Sequence, residues 1–279
     1  MDSVIKYISN VVEFQEVLLK QRSQTQYQPC VWNLSPGCFE LALDLPPFIK
    51  IKGSGIGLTI LKLVSACSLE SNNIIEDVTI EYSHVRENFE STQYDSFQLC
   101  VINCVSYLEE MYQPCDFIFT NKVVFRNCQI QLYNLESGYV FNVLAGNLKL
   151  ENVEITHRIL DDDSNNLQNI HNLFTLNYLC HLELDKCKIE YETKFNPTFL
   201  FSGNISQLDI NDSEIILKSK CELDETYLFY LISTKLNIKN SILKNQVSAG
   251  NIFFWDTENN LEFLNLISNF QIEKGKMII

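Results

Sequence analysis

A short pattern of alternating residues recurs along this chain and limits what it can fold into. Apolar, any, apolar, any, turn-former is read at Ile49-Lys50-Ile51-Lys52-Gly53, Val78-Thr79-Ile80-Glu81-Tyr82, Leu99-Cys100-Val101-Ile102-Asn103 and Val123-Val124-Phe125-Arg126-Asn127. It continues at Leu148-Lys149-Leu150-Glu151-Asn152, Leu182-Glu183-Leu184-Asp185-Lys186, Leu208-Asp209-Ile210-Asn211-Asp212, Leu236-Asn237-Ile238-Lys239-Asn240 and Leu261-Glu262-Phe263-Leu264-Asn265. Alternation with period two marks a strand with one buried face. The nine copies begin 21 to 34 residues apart, which leaves no room for a crossover helix in each unit. The strands must therefore stack as the coils of a solenoid.

Two further rows support that register. In most copies an aliphatic follows three positions later: Ile56, Val85, Ile130, Ile155, Ile189, Ile215 and Leu243. Phe141, Phe201, Phe229 and Phe254 lie seven residues before a copy and Phe174 eight before, so their rings should stack inside the coil. Leu150, Leu184, Ile210 and Ile238 should form one buried ladder. Asn103, Asn127, Asn152, Asn240 and Asn265 recur at the turn, which predicts an inward ladder of amides bonded along the stack. The expected fold is all-β: a single-stranded right-handed parallel β-helix, one domain over 1–279, with coils over 31–272. Asn10 followed by Glu13 fits a helix start, so 10–22 reads as an amphipathic helix that caps the first coil and hides its edge. The longest interval holds a loop insertion at 158–168.

Composition narrows the partners. The net charge of −14 repels phosphate backbones and anionic lipid, so neither nucleic acid nor a membrane is expected. Only 9 Gly and 6 Pro are present, so the turns must draw on Asn, Asp and Ser. The first residues lack a basic and apolar leader, which points to an intracellular protein with reduced cysteines, or to a secreted one whose signal has been removed. Sequons at Asn33, Asn204 and Asn211 add little without a leader.

The stretch Val31-Trp32-Asn33-Leu34-Ser35-Pro36-Gly37, then Cys38-Phe39-Glu40-Leu41, Phe48-Ile49-Lys50-Ile51-Lys52-Gly53-Ser54-Gly55 and Thr59-Ile60 resembles the opening region of the pectin-lyase-like superfamily. There a capping helix leads to a strand, a Pro-Gly turn and an Ile-x-Ile-x-Gly-x-Gly strand. The resemblance covers residues 10–61 and persists over 78–272 only as periodicity. It implies a β-helix and, by itself, no chemistry. The catalytic signatures of the superfamily's hydrolases, esterases and lyases are missing. None of His84, His157, His171 and His181 is flanked by glycines, and none of Arg22, Arg86, Arg126 and Arg158 sits within an acidic strand row.

The candidate residues lie on the outward side of the repeated strand. Glu183 and Asp209 occupy one outward position in successive copies, with Asp185 and Asn211 beside them, so this group is the expected binding face. Two carboxylates about 5 Å apart could serve as acid and nucleophile in a retaining glycosidase, the enzymatic alternative. Asp161, Asp162 and Asp163 offer clustered oxygens for calcium but lack the glycine and distal glutamate of a complete loop. No cofactor motif occurs. Cys104 and Cys128 both follow a turn Asn and should stack near disulfide distance as free thiols. The apolar ending Met277-Ile278-Ile279 suggests that the last coil meets a second copy or another subunit. The expected function is a non-catalytic scaffold or binding module presenting a long face to a protein or glycan. The alternatives are a polysaccharide lyase or hydrolase with a diverged site, and an assembly module of a larger complex.

Overall fold

Apolar residues at every second position of a strand point to one side, and in this chain that side is shared by many strands. The computed structural model describes residues 4–23, 28–41, 44–63, 67–69, 72–83, 99–102, 122–133, 138–159, 171–177, 179–193, 198–204, 206–219, 226–232, 234–246, 251–255, 267–268 and 271–273. Among them the chain is mostly β, every strand pairing recorded is parallel, and a single helix is present. Most strands bond not to their sequence neighbour but to one two or three strands later, and three rows result.

The first row holds the repeated motif. It runs through Cys30–Leu34, Ile49–Lys52, Ile74–Glu76, part of Lys122–Tyr133, part of Gly138–Arg158, Cys180–Asp185, Gln207–Asn211, Lys235–Lys239 and Ile267–Ser268. The second follows directly: Gly37–Leu41, Thr59–Leu63, Thr79–Ser83, the later parts of the two long strands, Lys188–Thr193, Glu214–Ser219, Ile242–Asn245 and Gln271–Glu273. The third contains Cys67–Leu69, Leu99–Ile102, the start of Gly138–Arg158, His171–Leu176, Thr198–Asn204, Thr226–Ile232 and Asn251–Trp255.

The core is built from ladders along these rows. Leu150, Leu184, Ile210 and Ile238 are in mutual register and fully buried, as the alternation requires. Ile130, Ile155, Ile189, Ile215 and Leu243 form a second buried ladder. Phe141, Phe174, Phe201 and Phe229 form the third, with ring centroids 4.9, 5.2 and 5.2 Å apart and interplanar angles of 17°, 4° and 16°. In the third row two consecutive residues point inward, Leu173 with Phe174, Leu200 with Phe201 and Leu228 with Phe229. This breaks the alternation, so each strand bends there.

Several register expectations need correction. The copy opposite Ile49–Lys52 is Ile74–Glu76, so Thr79 and Ile80 belong to the second row, opposite Gln129 and Ile130. Leu99–Ile102 pairs with Phe141 to Ala145 and so lies in the third row. Ile238 pairs with Ile267, so the last strand of the row is Ile267–Ser268, while the copy from Leu261 to Asn265 lies outside the described residues. Phe254 faces Tyr230, and Phe253 takes the position opposite Phe229. Ile56 is exposed rather than buried. In each case a neighbouring alternating stretch satisfies the same pattern with a slip, and only pairing distinguishes them.

The recurrent turn Asn also has a different cause. Asp77, Asn127, Asn152, Lys186, Asp212 and Asn240 all have φ between 49° and 57°. They occupy one left-handed position between the first and second rows, which Asn and Asp tolerate best after Gly. Asn152 and Asn240 are exposed and Asn127 half-buried, so the ladder is not inward. Amides still bond along the stack on the outside: Asn152 donates to Asn127 Oδ1 at 2.9 Å, and Asn127 donates to Asp77 Oδ1 at 3.2 Å. Gly53 holds the equivalent position in an earlier turn, where a Cβ would lie 2.3 Å from the Asp77 carbonyl oxygen.

At the N-terminal end the helix Val11–Arg22 starts from Asn10, whose side chain accepts from Glu13 N. Glu13 reaches back to the backbone N–H of Ser9 at 2.9 Å. Phe14 and Leu18 are fully buried, and Phe14 packs edge-on against Trp32 at 5.8 Å and Phe39 at 5.7 Å. The helix therefore packs its apolar side against the core, but it does not hide the edge. A strand, Val4–Ile8, precedes it and pairs with Cys30–Leu34, so the rows begin before residue 31. Its Val4, Ile5 and Tyr7 are exposed.

Candidate functional site

The outward positions of the first row carry most of the charge singled out in the sequence, and pairing brings it together. Glu183 and Asp209 are register partners, as are Asp185 and Asn211 two residues on. The four residues are half-buried on one face. Glu183 accepts from Lys149 Nζ at 2.7 Å and from Lys122 Nζ at 2.9 Å. Asp209 Oδ2 lies 2.7 Å from His181 Nε2 and accepts from Gln207 Nε2 at 2.8 Å, while Oδ1 accepts from Asn237.

These contacts set the chemistry of both carboxylates. Partial burial alone pushes the Glu183 carboxyl up, but the hydrogen bonds and charges of Lys122 and Lys149 outweigh it and hold the group below its ordinary value. Burial likewise raises Asp209, and the hydrogen bonds from His181, Asn237 and Gln207 reverse the effect. Lys149 is raised in turn by its hydrogen bond to Glu183. A retaining glycosidase needs one carboxyl held protonated near neutral pH beside an ionised one. Here both are held ionised with their oxygens occupied.

The same ladder continues toward the N-terminal end. Glu76, its side chain only 7% exposed, meets Lys50 at 2.8 Å and Lys52 and Arg126 at 3.5 Å, and Arg126 also binds Glu151 at 3.1 Å. Second-row pairs Lys218–Glu190 at 2.7 Å and Lys244–Glu214 at 3.4 Å repeat the arrangement. Charges of opposite sign on neighbouring strands thus pair along both rows.

The third row presents a different surface, which sequence reasoning missed. No Asp, Glu, Lys or Arg occurs in 138–145, 171–177, 198–204, 226–232 or 251–255. Half-buried aromatics meet across neighbouring strands: Phe199 stacks on Tyr227 at 5.6 Å and 25°, and Phe199 approaches Tyr230 at 4.7 Å and 44°. Beside them Asn142, Thr175 and Ser202 occupy one register column with Tyr230. Asn142 Oδ1 accepts from Asn177 Nδ2 at 2.7 Å. The signal was present as five uncharged segments in a chain of net charge −14, but without the third row nothing showed that they were neighbours.

Among the described residues no cluster of three or more His, Cys, Asp and Glu side chains could hold a metal ion. Asp161, Asp162 and Asp163 lie outside the described residues, as do Cys104 and the ending Met277-Ile278-Ile279. Cys128 follows Asn127 in register with Val153, and its thiol is free and buried. Burial pushes the thiols of Cys128 and Cys180 up to about 12 and that of Cys187 to about 11. No helix among the described residues is long and apolar enough to cross a membrane. Compared with known family models, curated proteins and solved structures, the chain matches none.

Proposed function

We propose that this chain is a non-catalytic right-handed parallel β-helix that presents a rigid, elongated face to a partner. The three rows would be the three walls of one coil, each turn of chain adding one strand to each wall. Right-handed winding follows from the strong preference of parallel crossovers. One observation carries the non-catalytic part: Glu183 and Asp209, the best acid–base candidates, are both kept ionised by partners that use up their oxygens. A face so saturated from within suits a scaffold better than a reaction centre.

Small-angle scattering of the purified chain combined with a polysaccharide cleavage panel tests the reading. The expected result is an elongated particle and no cleavage. A compact particle, or a glycosidase activity abolished by Glu183→Gln or Asp209→Asn, would overturn it. A second reading, a segment of a larger assembly, is favoured by the exposed Val4, Ile5 and Tyr7 on the strand at the N-terminal edge, where backbone groups are open to a further strand. Light scattering over a range of concentrations separates the two.

A further inference from the structure

We infer that this chain pairs with a second copy of itself through the strand Val4–Ile8, antiparallel about a two-fold axis at Lys6. This rests on the assembly reading and names its surface and its partner. Three observations converge. The strand offers open backbone: Val4 N–H donates to the Pro29 carbonyl and Ser35 N–H to that of Ile8, both at 3.0 Å, so the even-numbered residues turn their peptide groups toward Cys30–Leu34. Peptide direction alternates along a strand, so the N–H and C=O of Ile5 and Tyr7 point the other way, where no second strand pairs among the described residues. Ser9 N–H is already taken by Glu13 Oε2 at 2.9 Å, which closes the open stretch. Apolar surface is concentrated in the same region. Every large hydrophobic side chain exposed among the described residues lies between Val4 and Leu58. Ile5 is 58% and Tyr7 77% exposed, and the helix that follows adds Val12 and Leu19 on the side turned away from buried Phe14 and Leu18. Charge then selects the partner. Residues 4–58 carry five Lys and Arg against four Asp and Glu, a net +1, so the rest of this chain of −14 carries −15. Two copies repel each other through those acidic remainders and least where these segments meet.

The open groups fix the register. An axis at Lys6 sets Ile5 opposite the partner's Tyr7, and the two residues exchange both N–H···O=C bonds, as in the hydrogen-bonded pair of an antiparallel ladder. Symmetry repeats the pair on the other side of the axis. A shift by one residue would set open groups against the closed ones of Val4, Lys6 and Ile8, and an axis at Tyr7 would set Ile5 against the occupied N–H of Ser9. The side chains agree with this choice. Ile5 and Tyr7 lie on the face opposite buried Ile8, so each ring would rest beside an isoleucine across the junction. Half-buried Lys6 faces its own copy across the axis, a like-charge contact that weakens the pair without changing its register. The contact is isologous and closes at two chains, whereas a head-to-tail contact would propagate.

Sedimentation velocity of the full chain across about two decades of concentration around the micromolar range tests this. The expected result is a monomer–dimer equilibrium with no larger species, tightening as salt screens the repulsion between acidic remainders. Ile5→Pro removes an N–H that bonds nothing within the single chain, so it should leave melting unchanged and weaken dimerisation at least about tenfold. Where I5P melts early, Tyr7→Lys, which alters only an exposed side chain, serves instead with the same expected loss. Lys6→Gln should tighten the dimer by about twofold to fivefold. Amide exchange at Ile5 and Tyr7 should slow as concentration rises, while that at 207–211 stays constant. A chain that is monomeric at every concentration, growth beyond two copies, or exchange at Ile5 and Tyr7 that ignores concentration overturns the inference. A dimer that survives both I5P and Y7K keeps the assembly reading and removes this strand as its seat. An elongated monomer that cleaves nothing refutes this pairing alone, whereas a compact or cleaving particle refutes the scaffold reading whatever its oligomeric state.

Discussion

Phe201 sits in the middle of the aromatic ladder, fully buried, with Phe174 and Phe229 each 5.2 Å away on either side. Replacing it by alanine removes a side chain of roughly 150–250 Å², worth about 4–6 kcal/mol at about 25 cal/mol per Å². Measured Phe→Ala changes in cores span about 3–5 kcal/mol, so the two routes meet near 4 kcal/mol. Both stacked pairs are lost together, because each neighbouring ring is held on its own strand. Phe201→Leu keeps most of the volume and should cost less than about 2 kcal/mol. Urea unfolding followed by far-UV circular dichroism reads both, with hydrogen exchange at 198–204 as a local check against unfolding in blocks. A double-mutant cycle with Phe174→Ala should return about 1 kcal/mol of coupling. A Phe201→Ala cost below about 1.5 kcal/mol, or a coupling indistinguishable from zero, would refute the stacked ladder.

Ile210→Asp places a charge within the buried ladder of Leu184 and Ile238 and should cost several kcal/mol, read as loss of the cooperative melt. At the left-handed turn position, Lys186→Gly should raise stability by about 0.5–1 kcal/mol in urea unfolding, while Asn240→Ala should lower it by about 1 kcal/mol. Glu183 and Asp209 have folded values below their unfolded ones, so they add stability above about pH 4 that disappears as pH falls through the folded values. Acid melts should therefore be steeper in the parent than in Glu183→Gln or Asp209→Asn, and identical slopes would show that the pairs contribute nothing. A thiol reagent on the folded protein should modify exposed Cys38 quickly and spare Cys128, Cys180 and Cys187 until denaturant is added, as mass spectrometry of the labelled peptides would show.

Alternation and spacing were local properties, and they were sufficient for the parallel strands, the helix at residues 11–22 and most members of three ladders, though they misplaced Ile56 and Phe254. Leu150, Leu184, Ile210 and Ile238 could be aligned by eye because each stands in the same place within its own motif. Side-chain direction has period two, so a stretch such as Val78-Thr79-Ile80 reads as well in the first row as in the second. Only pairing with Gln129 and Ile130 resolves that choice. The turn Asn was visible too, but whether its amide pointed in or its backbone turned left depended on the bend between rows, a feature of three dimensions. The ion pairs of Glu183 with Lys122 and Lys149 join residues 61 and 34 positions apart, and no local pattern couples such positions. The aromatic face of the third row is the clearest case. Phe199, Tyr227 and Tyr230 belong to strands whose alternation breaks at a bend, so the sequence alone does not say which of their rings face outward. Parallel pairing of the strands Thr198–Asn204 and Thr226–Ile232 is what places them side by side.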